Sequence, residues 1–237
     1  MDSFAELQAI VNGDLSIDTT SSFFTPTLVK LAINRAYIKA GGLYRWKETE
    51  DAKKTSSVAS QEFYDYPTNW RPNSVWKLKV DGTDYADPLA YKDYLYEGEN
   101  DWPSGFVRAW TSQWRRFFIY PIPTTNGVNN IEIWGYKIVD KMVNDSDVTI
   151  FSYSMPECNE AIILEAEAIL KQKGQEETSS QFKSAQALQI LTIAWGKVQQ
   201  DQKKYEKTQP FFDVNDMFPD RGRNRTNTSN GSPLANF

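Results

Sequence analysis

The stretch Ser154–Gly174 reads SMPECNEAIILEAEAILKQKG, and its reading decides the class of the fold. Ser154-Met155-Pro156-Glu157 has the spacing of a capping box with proline in the first turn. Beyond it, Ile162, Ala166, Ile169 and Leu170 recur at the period of a helix with one apolar face. Gly174 is placed to stop that helix. A longer helical pattern follows from about Glu177 to Lys207, with Ala187, Leu191, Ala194, Val198 and Tyr205 near one face. The loop at Gly174 is short, so the two helices are expected to be antiparallel neighbours.

Toward the N-terminus the pattern changes twice. Phe4 to Val11 reads as a short helix closed by Asn12-Gly13, and residues 14–24 read as a linker. Thr25-Pro26 opens a second helix, with threonine as cap and proline in the first turn. Its apolar stripe runs through Leu28, Val29, Ile33, Ala36, Tyr37 and Ala40, widened by Leu31, Ala32 and Ile38, and Gly41-Gly42 ends it. From about residue 44 to 140 the chain is β-rich. Val75 to Val80 alternates, with Trp76, Leu78 and Val80 on one face and Lys77 and Lys79 on the other, and Asp81-Gly82 is a hairpin signal. Phe106–Trp110 and Arg115–Tyr120 read as strands joined by Thr111-Ser112-Gln113-Trp114, and Ile131–Ile138 as another. The expected fold class is α+β: a helical bundle of the N-terminal helix and two long C-terminal antiparallel helices, with a β-rich insertion and an extended C-terminal arm. The expected parts are residues 1–43, 44–150, 151–207 and 208–237.

Composition narrows the chemistry. The 237 residues include no histidine and one cysteine, Cys158. Histidine triads, imidazole acid–base chemistry, histidine metal sites and intrachain disulfides are therefore excluded. Cys158 reads as a small apolar residue. No phosphate-cradling glycine loop is present. No catalytic residue, metal site or cofactor is expected. No run approaches the ~18–20 apolar residues of a membrane span, and the acidic N-terminus lacks the pattern of a signal peptide.

The net charge is −5. Between Asp84 and Asp101 lie Asp84, Asp87, Asp93, Glu97, Glu99 and Asp101 against Lys92 alone, five net negative charges, as many as the whole chain carries. This stretch is expected to form an acidic surface. With Tyr91, Tyr94, Tyr96 and Trp102 beside it, a glycan-binding or glycan-cleaving site is the competing reading. The C-terminal arm holds Phe211, Phe212, Val214, Met217 and Phe218, followed by Arg221, Arg223 and Arg225. Burying each of those rings gains about 1.5–3 kcal/mol. Either the arm folds back on its own helices or it anchors on another subunit or protein. The arginines suit an acidic protein partner or phosphates, and the acidic balance argues against a packaging factor that grips nucleic acid.

The order of parts resembles the head-to-tail adaptor (connector) proteins of tailed bacteriophages, of the tail tubular protein A type. The resemblance rests on Leu28-Val29 with Ile33-Asn34-Arg35-Ala36, on Tyr44-Arg45-Trp46, and on Tyr66-Pro67 with Trp70-Arg71. It rests also on Phe117-Phe118-Ile119-Tyr120-Pro121-Ile122-Pro123, on Tyr136, and on Met155-Pro156-Glu157 opening an Ala/Ile-rich helix (Ala161, Ile162, Ala166, Ala168) that stops at Gly174. It spans roughly residues 25–175; residues 47–60 and 84–104 have no counterpart. The resemblance implies a structural, non-enzymatic virion protein at the head–tail junction, assembled in the host cytoplasm. It implies a homo-oligomeric ring of twelve subunits beneath the portal protein, with a downstream tail (nozzle or tail tube) protein below. Genome DNA would pass through the channel without specific binding, and no membrane is involved. On this reading residues 211–225 dock on the portal, and the acids between Asp84 and Asp101 line the channel or a surface patch.

Overall fold

A computed structural model describes residues 2–16, 24–84, 88–99 and 109–208. The observed architecture is α+β: among the described residues there are five α-helices and two small antiparallel sheets. A compact unit spans Met1–Gly196, and a second unit, Lys197–Phe237, holds the last turns of the final helix.

Helix α1 (Phe4–Asp14) begins at a capping box in which the Ser3 hydroxyl accepts from the Glu6 amide and the Glu6 carboxylate accepts from the Ser3 amide. Helix α2 (Pro26–Leu43) starts as its sequence predicts, with the Thr25 hydroxyl accepting from the Leu28 amide at 3.3 Å. Its buried face carries Val29, Ala32, Ile33, Ala36, Tyr37 and Ala40, while Leu31 stays exposed on the far side. Helix α4 (Glu157–Lys173) buries Ala161, Ile162, Ala166 and Leu170. The capping box expected at Ser154 does not form. Pro156 is itself the N-cap, and the chain enters already turning: the Cys158 and Asn159 amides bond to the Met155 and Pro156 carbonyls instead of a serine hydroxyl. Helix α5 runs Glu177–Thr208 and buries Ala187, Leu191 and Ala194. Cys158 is fully buried as a small apolar side chain.

The β part contains strands β1 (Glu50–Thr55), β2 (Phe63–Asp65), β3 (Lys77–Val80), β4 (Thr83–Asp84), β5 (Ala109–Gln113), β6 (Arg116–Tyr120) and β7 (Ile131–Tyr136). One sheet has the order β1-β7-β3-β4 and the other β2-β6-β5. Asp81-Gly82 makes the β3–β4 hairpin, both residues with positive φ. Both sheets feed one apolar cluster around Trp70, Trp110, Phe117, Ile119, Ile131 and Ile133. The Trp70 ring lies against Gly135 of β7, where an added Cβ would stand 2.5 Å from the ring.

Three local expectations are corrected. Trp76 is exposed and lies before β3, so Val75 rather than Trp76 joins Leu78 and Val80 in the core. The segment Thr111–Gln113 belongs to β5, and only Trp114-Arg115 form the turn, because the ladder continues to the Gln113↔Arg116 pair. Finally, α3 (Tyr91–Glu99) is a helix that the pattern does not announce; Tyr94 is buried on it while Leu95 and Tyr96 stay exposed.

Two arginines tie loops to the rest of the unit. Arg71 donates to the carbonyls of Gly41, Gly42 (3.2 Å) and Tyr44 (3.0 Å) at the end of α2, and to that of Lys137 (3.3 Å) beyond β7. It thereby satisfies carbonyls that a helix end leaves without partners. Burial pulls its pKa below the usual arginine value. Arg115 donates to the carbonyls of Pro67 (3.0 Å), Thr68 (2.8 Å) and Trp70 (3.1 Å). Asn34 of α2 makes a reciprocal pair with the Met142 backbone, at 3.0 and 2.8 Å.

Candidate interaction surfaces

Helix α5 owes its position to side chains that reach across to α4. The Ser180 hydroxyl donates to the Ala168 carbonyl at 2.8 Å, and the Ser184 hydroxyl to the Glu165 carboxylate at 2.7 Å. Glu165 also pairs with Lys39 of α2 at 2.6 Å, so one carboxylate joins three helices. Lys183 pairs with the fully buried Glu167. Burial pushes the Glu167 carboxyl above the ordinary range; the Lys183 ammonium opposes this, and the Asp14 carboxyl adds to it. The contacts at 180↔168, 183↔167 and 184↔165 run in opposite chain directions, as the short Gly174 loop requires.

Farther along, the Trp195 ring stacks on Tyr44 at 5.2 Å and meets Trp46 edge-on at 5.5 Å, and Trp46 packs edge-on against Phe151. The Tyr44 hydroxyl and the Thr192 hydroxyl are 3.0 Å apart. Between these two anchor points the facing residues are mostly alanine and leucine. Ala36, Ala161 and Ala185, with Leu43, Leu188 and Leu191, line a groove of about 410 Å³ among α2, α4 and α5.

The opposite side of α5 carries two exposed apolar side chains, with Gln186 and Gln189 between them. Phe182 is 64% exposed and Ile193 53%. At 3.6 residues per turn these two positions fall about 20° apart around the helix. Leu188, half exposed, stands between this stripe and the groove. A helix that buries one face and presents aromatic and branched side chains on the other is suited to contact a second protein surface.

The predicted site residues are placed as follows. Asp93 is exposed on α3, Glu97 and Glu99 belong to the same helix, and Asp84 sits in β4 opposite Lys79. Asp87 and Asp101 lie outside the described residues, as do Phe211, Phe212, Val214, Met217, Phe218, Arg221, Arg223 and Arg225. The outer stripe of α5 was missed from sequence. Its signal was the eleven-residue spacing of Phe182 and Ile193, a second apolar line beside the one formed by Ala187, Leu191 and Ala194.

The family model of the SU10 adaptor proteins matches residues 2–209. The chain belongs to the SU10 adaptor protein family. It is a phage adaptor protein, a structural component of the virion. The match spans every helix and strand of the adaptor described above and stops short of Phe211. No curated protein matches the adaptor's sequence. Among the described residues, no helix is long and apolar enough to cross a membrane.

Proposed function

We propose that the adaptor forms a closed ring beneath the portal protein, twelve copies in the arrangement its resemblance implies, and joins the portal to the next tail component. Its work is adhesion and not catalysis. The observation that carries this reading is the family match over residues 2–209, taken with the two-faced helix α5. A heterologous contact, in which the outer stripe of one α5 packs on a different patch of the next copy, closes into a ring when its rotation divides the circle. The segment 208–237 docks on the portal, with Phe211, Phe212, Val214, Met217 and Phe218 as apolar anchors and Arg221, Arg223 and Arg225 meeting acidic groups. Ordering that segment on docking couples folding to binding. The acidic stretch from Asp84 to Asp101 faces the DNA path and keeps the passing genome from sticking by like-charge repulsion.

Deleting residues 208–237 tests the docking segment. The truncated chain keeps its helical circular dichroism and its melting temperature but no longer co-sediments with portal rings. Undiminished recruitment by the truncated chain removes the segment from the account.

A further inference from the structure

Over the three-stranded sheet lies a cleft of about 630 Å³, apart from the α5 stripe assigned above to ring contacts. Its floor is Phe63 of β2 and Phe118 of β6, with ring centres 5.8 Å apart, and Tyr91 of α3 closes one side at 5.3 Å from Phe118. Its rim is the β5–β6 turn, Trp114-Arg115, continued by Arg116. We propose that this cleft binds a protein segment that presents an apolar side chain flanked by carboxylates.

Trp114 is the first reason. It adopts φ +56°, in the left-handed region where a bulky side chain is rare and where a two-residue hairpin turn ordinarily carries glycine, asparagine or aspartate. Its indole is 73% exposed, so the conformation does not serve to bury the ring within the unit. A strained residue that also leaves its largest apolar surface in water marks a contact made with something else.

Charge is the second reason. The chain as a whole carries −5, yet the described lining of this cleft includes two arginines and no carboxylate. The three hydrogen bonds of the Arg115 guanidinium go to neutral carbonyls. Arg116 lies over the Phe63 ring at 4.6 Å and pairs with Asp65 at 3.0 Å, both side chains more than half exposed. Such a surface pair is weak and exchanges readily for a partner's carboxylate. The occupant therefore carries negative charge.

Ring geometry selects the class of occupant. Phe63 and Tyr91 are tilted 48° and 55° to Phe118. The tilted floor rings suit an inserted side chain, whereas sugars and nucleobases stack on a flat face, which in the described lining only the Trp114 indole at the rim presents. An acidic peptide with one aromatic or branched residue satisfies the pocket, the tilt and the charge together. This reading is independent of ring formation, since every group it uses belongs to one subunit.

The experiment is calorimetric titration of the full chain with the capped pentapeptide Asp-Glu-Phe-Glu-Asp. Controls are the same peptide with lysine for each acid, the same with alanine for phenylalanine, maltoheptaose, and oligo-dT. The acidic aromatic peptide binds saturably and the controls do not. Trp114→Gly weakens binding by about tenfold or more. It leaves the melting temperature unchanged or raised, because glycine takes positive φ without strain. Arg116→Ala, an exposed substitution that keeps the fold, weakens binding about threefold and flattens its salt dependence. The proposal is overturned if the acidic peptide does not bind, if the lysine version binds as well, or if Trp114→Gly binds like the parent. Trp114-dependent binding of maltoheptaose or oligo-dT overturns it too, assigning the cleft to glycans or nucleic acid.

Discussion

In α2 and α4 the buried positions are mostly small or branched aliphatics (Val29, Ala32, Ile33, Ala36; Ala161, Ile162, Ala166, Leu170) repeating at helical spacing. In the β part, the largest fully buried side chains include Trp70, Trp110 and Phe117, drawn from loops and from the three-stranded sheet. The helices approach closely because their facing residues are short, and little besides that repeat is needed to place them. The strands are short, three to six residues in β1–β3 and β5–β7, and cannot specify their own arrangement by ladder length alone. Large rings fill the space between them, and Arg71 and Arg115 fix the loops through backbone carbonyls. Aliphatic repetition thus packs α2 on α4, with Phe4, Trp46 and Phe151 as the large fully buried rings at their margins, whereas in the β part the large rings occupy the centre of the core.

Trp70→Ala gives the widest test of that contrast. Trp70 is fully buried, donates its indole N–H to Asp51 at 3.2 Å and rests on Gly135. Its truncation should cost about 3–5 kcal/mol in urea unfolding. A loss near that of a surface substitution would mean that the β part is held by something other than its rings.

Arg71→Ala sharpens the contrast at the joint between the two regions. It leaves the carbonyls of Gly41, Gly42, Tyr44 and Lys137 without this donor, and about 2–3 kcal/mol of destabilisation follows. Arg71→Lys should recover little of it, since one ammonium lacks the planar fork that reaches all four. Full rescue by lysine would show that charge rather than geometry holds the joint.

The smallest effect is a pH dependence. The Asp147 carboxylate accepts from the Val143 and Asn144 amides at 2.7 and 2.8 Å, and the loop's own carbonyls at Asp145 and Asp147 accept from the first amides of α1. The Val143 bond, then that of Asn144, holds the Asp147 carboxyl below its ordinary 3.8. A depressed carboxyl contributes stability that is fully present above 3.8 and is lost as pH falls below that value through the folded one. Asp147→Asn should therefore flatten the stability profile below pH 4 and leave the profile above pH 5 parallel to the parent's. An unchanged acid limb would show that the loop bonds do not discriminate between protonation states.

Legibility followed the same divide. Thr25-Pro26, Gly174 and Asp81-Gly82 announce their structures because a cap, a stop and a hairpin turn are local chemistry. Helix α3 gave no such notice: its sequence YKDYLYEGE is polar and aromatic, with Tyr94 buried while its neighbours Leu95 and Tyr96 are not. The proline at 156 led to a misread start, since a chain already turning needs no serine cap. The roles of Arg71 and Arg115 have no sequence signature, because their partners are main-chain carbonyls up to 66 residues away. Of the functional surface, the buried stripe of α5 was readable and its outer stripe was not separated from it. The acidic stretch and the C-terminal segment are conspicuous in composition; Asp84 falls in β4 and Asp93, Glu97 and Glu99 in α3, while Phe211 to Arg225 lie outside the described residues.

The most direct test of the adaptor reading is a set of negative-stain class averages of the full chain mixed with its portal rings, parent beside Phe182→Ser/Ile193→Ser. The account predicts a continuous ring of adaptor beneath the portal for the parent. For the double variant, whose melting temperature is unchanged because both side chains already face solvent, it predicts single, unclosed subunits. A parent that leaves the portal bare, or a double variant that closes the ring as well as the parent does, contradicts it.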